Sequence, residues 1–191
     1  FFKITATNCF YPCALVGSFR CRKETNLKQF VVDIPAFPQP GILFLEISPL
    51  LRRHFAATIE SVERLFSESE WDAIDAVAGI ESRGFILASA LAERRGKGFV
   101  PIRKKGKLPP PGVDIAYDLE YGTGVLEMQA GQGRLLLVDD VLATGGTLAA
   151  SMVLSRQAGY VVQGIGVLID IGIAPGFRCE DHVPRIVLQY G

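Results

Sequence analysis

Asp139 and Asp140 are neighbours at the end of the apolar run Leu135 to Val138, and they lead into Val-Leu-Ala-Thr-Gly-Gly-Thr, a stretch of small and hydroxyl-bearing residues. Two like charges side by side at the end of an apolar strand are costly unless a ligand or solvent takes them up. Ionised carboxylates can only accept hydrogen bonds, so the pair suits neighbouring hydroxyls such as those of a ribose ring. The loop that follows offers backbone N–H groups freed by Gly145 and Gly146, the hydroxyls of Thr144 and Thr147, and the start of a helix, which together make a cradle for phosphate. A sugar 5-phosphate fits both halves of this arrangement.

Two other phosphate loops are excluded. The sequence contains no GxxxxGK followed by Ser or Thr, and no GxGxxG follows a strand, so neither a nucleoside triphosphatase loop nor a dinucleotide fingerprint is present. At 191 residues, 49% hydrophobic and 21% charged, the chain is long enough to bury a core and falls in the globular class. A formal net charge of +0 and a pI near 6.9 exclude the basic footprint of a nucleic-acid binder, so local groups must meet any anionic ligand. Cys9, Cys13 and Cys21 crowd the N-terminus, Cys179 stands alone, and His54 and His182 are far from them in sequence; a zinc site is not expected. No apolar run approaches the roughly 20 residues that a membrane-spanning helix needs.

The elements that must position the acid pair can be read from periodicity. Residues 1–26 have a few basic residues, no acid before Glu24 and no periodic apolar face, and read as a poorly ordered or non-native leader. Asn26 to Ile34 can form a short helix capped by Asn26, and the three prolines and one glycine before Ile42 predict a rigid loop leading into a short extended piece. Leu51, Phe55, Ile59, Val62 and Phe66 share a helical face. Beyond it come a strand over 74–80, a helix over 84–96 stopped by Gly96, a strand over 98–104, a hairpin in 115–129 turning at Tyr-Gly-Thr-Gly, a strand over 134–140, a helix over 147–157 and a strand over 160–170. Alternating strands and helices predict an α/β domain over 27–191, with a mainly parallel sheet and helices on both faces. Ligands of such sheets sit at the carboxyl ends of the strands, where Asp139 and Asp140 fall.

The segments VVDIPAFPQPGILFLEISPLL, AGIESRGF, IRKKGKLPPP, YDLEYG and VDDVLATGGT, in that order from about residue 28, resemble the signature blocks of the adenine phosphoribosyltransferase family. The last block is shared by phosphoribosyltransferases that bind 5-phosphoribosyl 1-pyrophosphate; the others narrow the resemblance to adenine. It implies the type I phosphoribosyltransferase fold, a twisted sheet flanked by helices with a small N-terminal hood at about 28–50 and a mobile loop at about 106–122. It also implies a Mg2+-dependent, cytoplasmic homodimer of purine salvage that converts adenine and the donor to AMP and pyrophosphate, with Mg2+ bound through the substrate.

The same resemblance assigns roles residue by residue. Asp139 and Asp140 would hold the ribose 2- and 3-hydroxyls and favour a cationic sugar, and Ala143, Thr144, Gly145, Gly146 and Thr147 would wrap the 5-phosphate. Ser82 and Arg83, with Arg103, Lys104 and Lys107 (partly from a neighbouring subunit), would face pyrophosphate. Glu120 would be the general acid or base at purine N7, with Tyr121 closing beside it. Phe44 would stack on adenine while the backbone of Leu43 reads its polar edge. Leu45 stands where the family commonly has arginine. Trp71 and Ile74 read as core, Cys179 as a small buried residue, His54 as exposed, and His182 has no evident partner. A phosphoribosyltransferase for another base, or a non-catalytic sensor of the donor, would keep the cradle; a sensor should add a DNA-binding helix pair or a basic RNA face, and neither is visible.

Overall fold

Leu135 to Val138 are four successive residues with no exposed surface, which marks their strand as buried on both faces. The structure, a computed structural model, describes residues 26–37, 43–119 and 122–190. The expected leader, apart from Asn26, lies outside them, as do Glu120 and Tyr121. The chain divides into two compact units, residues 1–54 and 55–191.

In the first unit, a 3-10 turn at Leu27–Phe30 precedes strands β1 (Val32–Pro35) and β2 (Leu43–Glu46), which pair antiparallel with Val32 opposite Glu46. The helix expected from Asn26 to Ile34 is thus confined to one turn. The Asn26 side chain makes no capping bond, and Val32 and Ile34, with β-branched side chains, extend against β2 instead. Helix α1 (Ser48–Glu63) begins here and kinks at His54. That histidine, expected to be exposed, is half-buried, with its ring 4.1 Å from that of Phe30.

The second unit is built on a sheet of seven strands among the described residues. In chain order these are β3 (Ala76–Ile80), β4 (Gly98–Lys104), β5 (Gly112–Leu119), β6 (Gly122–Gln129), β7 (Gly133–Leu142), β8 (Tyr160–Asp170) and β9 (Arg185–Gln189). They lie side by side as β5-β6-β4-β3-β7-β8-β9. Neighbouring pairs from β4 to β9 are parallel, and the β5–β6 hairpin adds antiparallel to β4. Helix α3 (Arg83–Arg95) connects β3 to β4 and α4 (Gly146–Gln157) connects β7 to β8. The two crossovers step in opposite directions from the β3–β7 pair, so right-handed connections put their helices on opposite faces.

Side-chain alternation agrees with that. Ala78, Ile80, Leu135 and Leu137 share one core with Leu148 and Met152 of α4. On the other face Gly79 lies under Ala88 of α3, while Gly164 and Gly166 of β8 receive the ring of Phe66. Trp71 and Ile74 are core, as their apolar character implied.

Three elements escaped the sequence reading or were misjudged. Short helix α2 (Glu68–Asp72) is started by a capping box in which Ser67 and Glu70 bond each other's backbone N–H groups. Glu70 also pairs with Arg185 of β9; that hydrogen bond, then those from Ser67, hold its carboxyl near 2. The hairpin closes between Leu119 and Gly122, which pair with each other, two positions before the expected Tyr-Gly-Thr-Gly. Gly124 therefore lies within β6, where the Tyr117 ring covers it so closely that a Cβ would stand 2.7 Å from the ring.

The α3 contact has no slack: a Cβ on Gly79 would stand 2.7 Å from the Ala88 Cβ and 2.8 Å from the Gly84 carbonyl oxygen. Gly79→Val is expected to cost about 2 kcal/mol of stability through overpacking. A lower denaturant midpoint at unchanged slope measures this; a wild-type midpoint would mean that the helix yields freely.

Candidate active site

Because the crossovers diverge from the β3–β7 pair, the carboxyl ends of these strands border a crevice at which a doubly wound sheet binds its ligands. Asp139 and Asp140 lie near the end of β7, and Glu81, Ser82 and Arg83 follow β3 directly. The β7 strand runs two residues farther than expected, to Leu142, because Val141 and Leu142 stay paired with Ile169 and Asp170. The acids therefore sit inside the ladder, which fixes their backbones.

Both aspartates are buried, each only 8% exposed. Asp139 Oδ1 accepts the Asp140 N–H at 3.0 Å. Burial, then the charge of Asp140, pushes the Asp139 carboxyl well above its usual range. Burial also raises Asp140, although the Arg83 guanidinium pulls the other way. Arg83 Nη2 approaches Asp140 Oδ2 to 2.6 Å, yet no donor meets that oxygen with hydrogen-bond geometry. The pair is a set of buried acceptors, with Asp140 Oδ2 left without a donor, and suits a hydroxyl-bearing ligand. Gly84 makes room for it: a Cβ there would stand 2.9 Å from Asp139 Oδ1.

The phosphate-cradle residues gather just beyond. Gly145 sits at the N-cap of α4 with φ +85°, and the ring of Phe177 occupies the place of its missing side chain. The first-turn N–H groups of α4, at Gly146, Thr147 and Leu148, have no acceptor within the helix. Thr144 is exposed and Ala143 half-buried. Asp170, at the end of β8, fixes the neighbouring turn by accepting Gly172 N–H at 2.9 Å and Gln189 Nε2 at 2.7 Å. Sequence reasoning missed Phe177 and Asp170, and no local pattern marks either.

Three of the cations expected to face an anion, Arg83, Arg103 and Lys107, lie against carboxylates. Ser82 is exposed and forms no capping bond at the start of α3, so its hydroxyl does not serve the helix. Arg83 meets Asp140, while Lys107 contacts Glu81 and Arg103 Nε lies 3.5 Å from Glu81 Oε2. Lys104 is exposed and its N–H donates to Glu81 at 2.9 Å. The turn carrying Lys107 is built on Glu127 of β6, whose carboxylate accepts the N–H groups of Gly106, Lys107 and Leu108 at 3.0, 2.6 and 2.7 Å. Burial raises the Glu127 carboxyl, but these three bonds and the Arg103 charge outweigh it and lower it. Glu81 and Glu127 were also missed, although Glu81 lies inside the AGIESRGF block.

The expected base-site residues belong to the first unit. Leu43 begins β2, and Phe44 is half-buried with its ring edge-on to Phe37 at 5.2 Å. Leu45 is buried and opposite Asp33, so leucine serves there as packing. Elsewhere, Cys179 is buried as expected and joins His182 through a backbone bridge, and His182 Nδ1 is buried without a hydrogen-bond partner.

Residues 52–176 match the family model of the phosphoribosyl transferase domain, the class that this sheet order and acid pair define. An adenine phosphoribosyltransferase of Hydrogenovibrio crunogenus is 47% identical over 169 residues, which cover 88% of this chain and 98% of the relative. A crystal structure of adenine phosphoribosyltransferase from Rhodothermus marinus is similar at TM-score 0.75 and 41% identity, over 87% of this chain and 97% of that one. The Saccharomyces cerevisiae enzyme, complexed with an imino-altritol bisphosphate and adenine, is similar at TM-score 0.79 and 31% identity, over 86% of this chain and 98% of that one. The chain belongs to the adenine phosphoribosyltransferase family. Its fold is the type I phosphoribosyltransferase fold that the motifs implied.

Burying Asp139 has a thermodynamic sign. A carboxyl whose folded pKa lies above the unfolded value of 3.8 favours folding fully only below that value, and the contribution is lost as pH rises through the folded pKa. Asp139→Asn keeps the acceptor for Asp140 N–H and removes the buried charge. It should raise Tm at pH 7 by about 2–4 °C, the shift that about 1 kcal/mol produces at this chain length, with the gain shrinking toward pH 4. A variant less stable than wild type at pH 7 would show that the carboxylate stabilises the fold.

Proposed function

We propose that this protein transfers the phosphoribosyl group of 5-phosphoribosyl 1-pyrophosphate to adenine, forming AMP and releasing pyrophosphate. The observation that carries the proposal is the buried acid pair of β7, with Asp140 Oδ2 lacking a donor, immediately ahead of the glycine-hinged start of α4. The C1–O bond to pyrophosphate breaks as the purine N9–C1 bond forms, through a sugar with cationic character. Asp139 and Asp140 accept from the ribose 2- and 3-hydroxyls, and their charge favours that cation. Ala143 to Thr147 bind the 5-phosphate with N–H groups and hydroxyls.

Ser82, Arg83, Arg103, Lys104 and Lys107 receive the leaving pyrophosphate. Glu120 exchanges a proton with adenine N7, and Tyr121 closes beside it. Phe44 stacks on the base and the Leu43 backbone reads its edge, within a hood over about 28–50. Closure of the segment at about 106–122 excludes water from the sugar cation. The oxygen-rich surroundings of the acid pair suit Mg2+, which prefers carboxylate and phosphate oxygens and would neutralise charge on the diphosphate. Among the described residues no group of three acids, histidines or cysteines could hold a metal by itself; the family resemblance implies a cation bound through substrate. The protein acts in purine salvage as a cytoplasmic homodimer, as the family resemblance implies.

A base panel tests this reading. With Mg2+ and the phosphoribosyl donor, adenine should yield AMP and pyrophosphate, whereas hypoxanthine, guanine, xanthine and uracil should yield no nucleotide. Turnover of another base in place of adenine would reassign the substrate, and donor binding without any turnover would favour a sensor. Asp139→Asn combined with Asp140→Asn should cut turnover roughly a thousandfold, and retained activity would remove the pair from ribose binding. Glu120→Gln should lower kcat roughly a hundredfold with little change in donor affinity; unchanged kcat would remove Glu120 from the chemistry.

A further inference from the structure

Glu81 has no part in the reaction just described, yet both oxygens of its carboxylate are engaged. Its side chain is 9% exposed. The Lys107 ammonium contacts Oε1, the Lys104 N–H donates to Oε2 at 2.9 Å, and Arg103 Nε lies 3.5 Å from the same oxygen. Arg103 Nη1 in turn donates to the Lys107 carbonyl at 3.1 Å. Burial opposes ionisation of Glu81, but these donors and charges outweigh it and lower its pKa, so it is an anion at neutral pH.

The two cations are not sealed in with it. Side-chain exposure is 46% for Lys107 and 32% for Arg103, so each remains partly open to solvent. A carboxylate thus bridges an ammonium and a guanidinium much as a phosphate oxygen would. We infer that Glu81 is an exchange ligand: it holds Lys107 and Arg103 beside the crevice while no diphosphate is present, and gives up Lys107 when diphosphate binds. The inference rests on the phosphoribosyl-transfer reading of this site.

Its consequence is thermodynamic. A cation that must leave one anion for another binds the second more weakly by whatever the first contact was worth. Glu81 therefore lowers affinity for pyrophosphate and lets the product leave, acting through Lys107 as a positioning residue.

Pyrophosphate with Mg2+, titrated calorimetrically into the full chain, tests this in wild type, Glu81→Gln, Lys107→Met and the double variant. Glutamine keeps nearly the same volume and an oxygen for the Lys104 N–H, so the substitution removes little but charge. The Kd of Glu81→Gln should fall about 5- to 10-fold, the scale of a partly exposed charge-assisted contact. Product inhibition by pyrophosphate should tighten equally. In the Lys107→Met background the same change should alter Kd less than about twofold. A merely structural role would weaken binding in both backgrounds. Glu81→Asp, which withdraws the carboxylate by one methylene, serves if the glutamine variant misfolds and should tighten binding about twofold.

Unchanged or weaker binding by Glu81→Gln, or by Glu81→Asp in its place, with wild type binding pyrophosphate and forming AMP, overturns this inference alone. Wild-type protein that binds no pyrophosphate overturns it together with the functional reading.

Discussion

The arrangement around β7 depends on keeping two adjacent carboxylates away from water. Asp139 and Asp140 remain in the strand ladder, Gly84 yields the space beside Asp139, and the Arg83 guanidinium approaches Asp140 without completing its hydrogen bonding. Burial raises both acids, and the charge of Asp140 raises Asp139 further, while the Arg83 guanidinium offsets part of the cost at Asp140. A hydroxyl-bearing sugar with cationic character relieves that cost, which is how a preorganised site favours a transition state over free substrate. Fold stability is sacrificed locally for a polarised surface, and the surrounding sheet supplies the compensation.

The opposite side of the crevice follows a complementary logic. Three of its cations already have an anionic partner: Arg83 is engaged by Asp140, and Arg103 and Lys107 by Glu81. Glu127 adds a rigid base by gathering three successive N–H groups of the turn that bears Lys107. Internal carboxylates occupying cations meant for a dianion keep their side chains oriented without making anion binding irreversible. The long flexible stem of Lys107 allows such a change of partner, whereas the Glu127 turn keeps its backbone in place.

Motif chemistry carried much of the functional reading. The acid pair, the TGGT loop and the Ser82–Arg83 step could be recognised because each needs particular residue types at neighbouring positions, and neighbouring positions are what a sequence displays. Strands β4 and β8 and helices α3 and α4 were legible for a related reason: continuous apolar runs and helical spacing are local signals that tertiary contacts here reinforce. Where local preference met a stronger nonlocal partner the reading failed. The segment after Asn26 extended because β2 pairs with it, Gly124 became a strand residue because Tyr117 lies across it, and β7 ran past the aspartates because β8 continued beside it.

The sequence by itself determined the class of fold, the phosphate and ribose chemistry and the residues flanking them, since these follow from hydrophobic period and from functional groups within a few positions of one another. Tertiary structure alone decided which strand ends adjoin, and therefore that Glu81–Arg83 after β3 and Asp139–Asp140 of β7 face the same crevice. It also decided that Glu81 binds Lys107 at a sequence separation of 26, that Glu127 builds the Lys107 turn, and that Phe177 fills the space at Gly145. The physical reason is that carboxylates, turns and aromatic rings acquire these roles only through distance in space, and strand order in a sheet is set by the packing of helices on its two faces rather than by any residue's own preference.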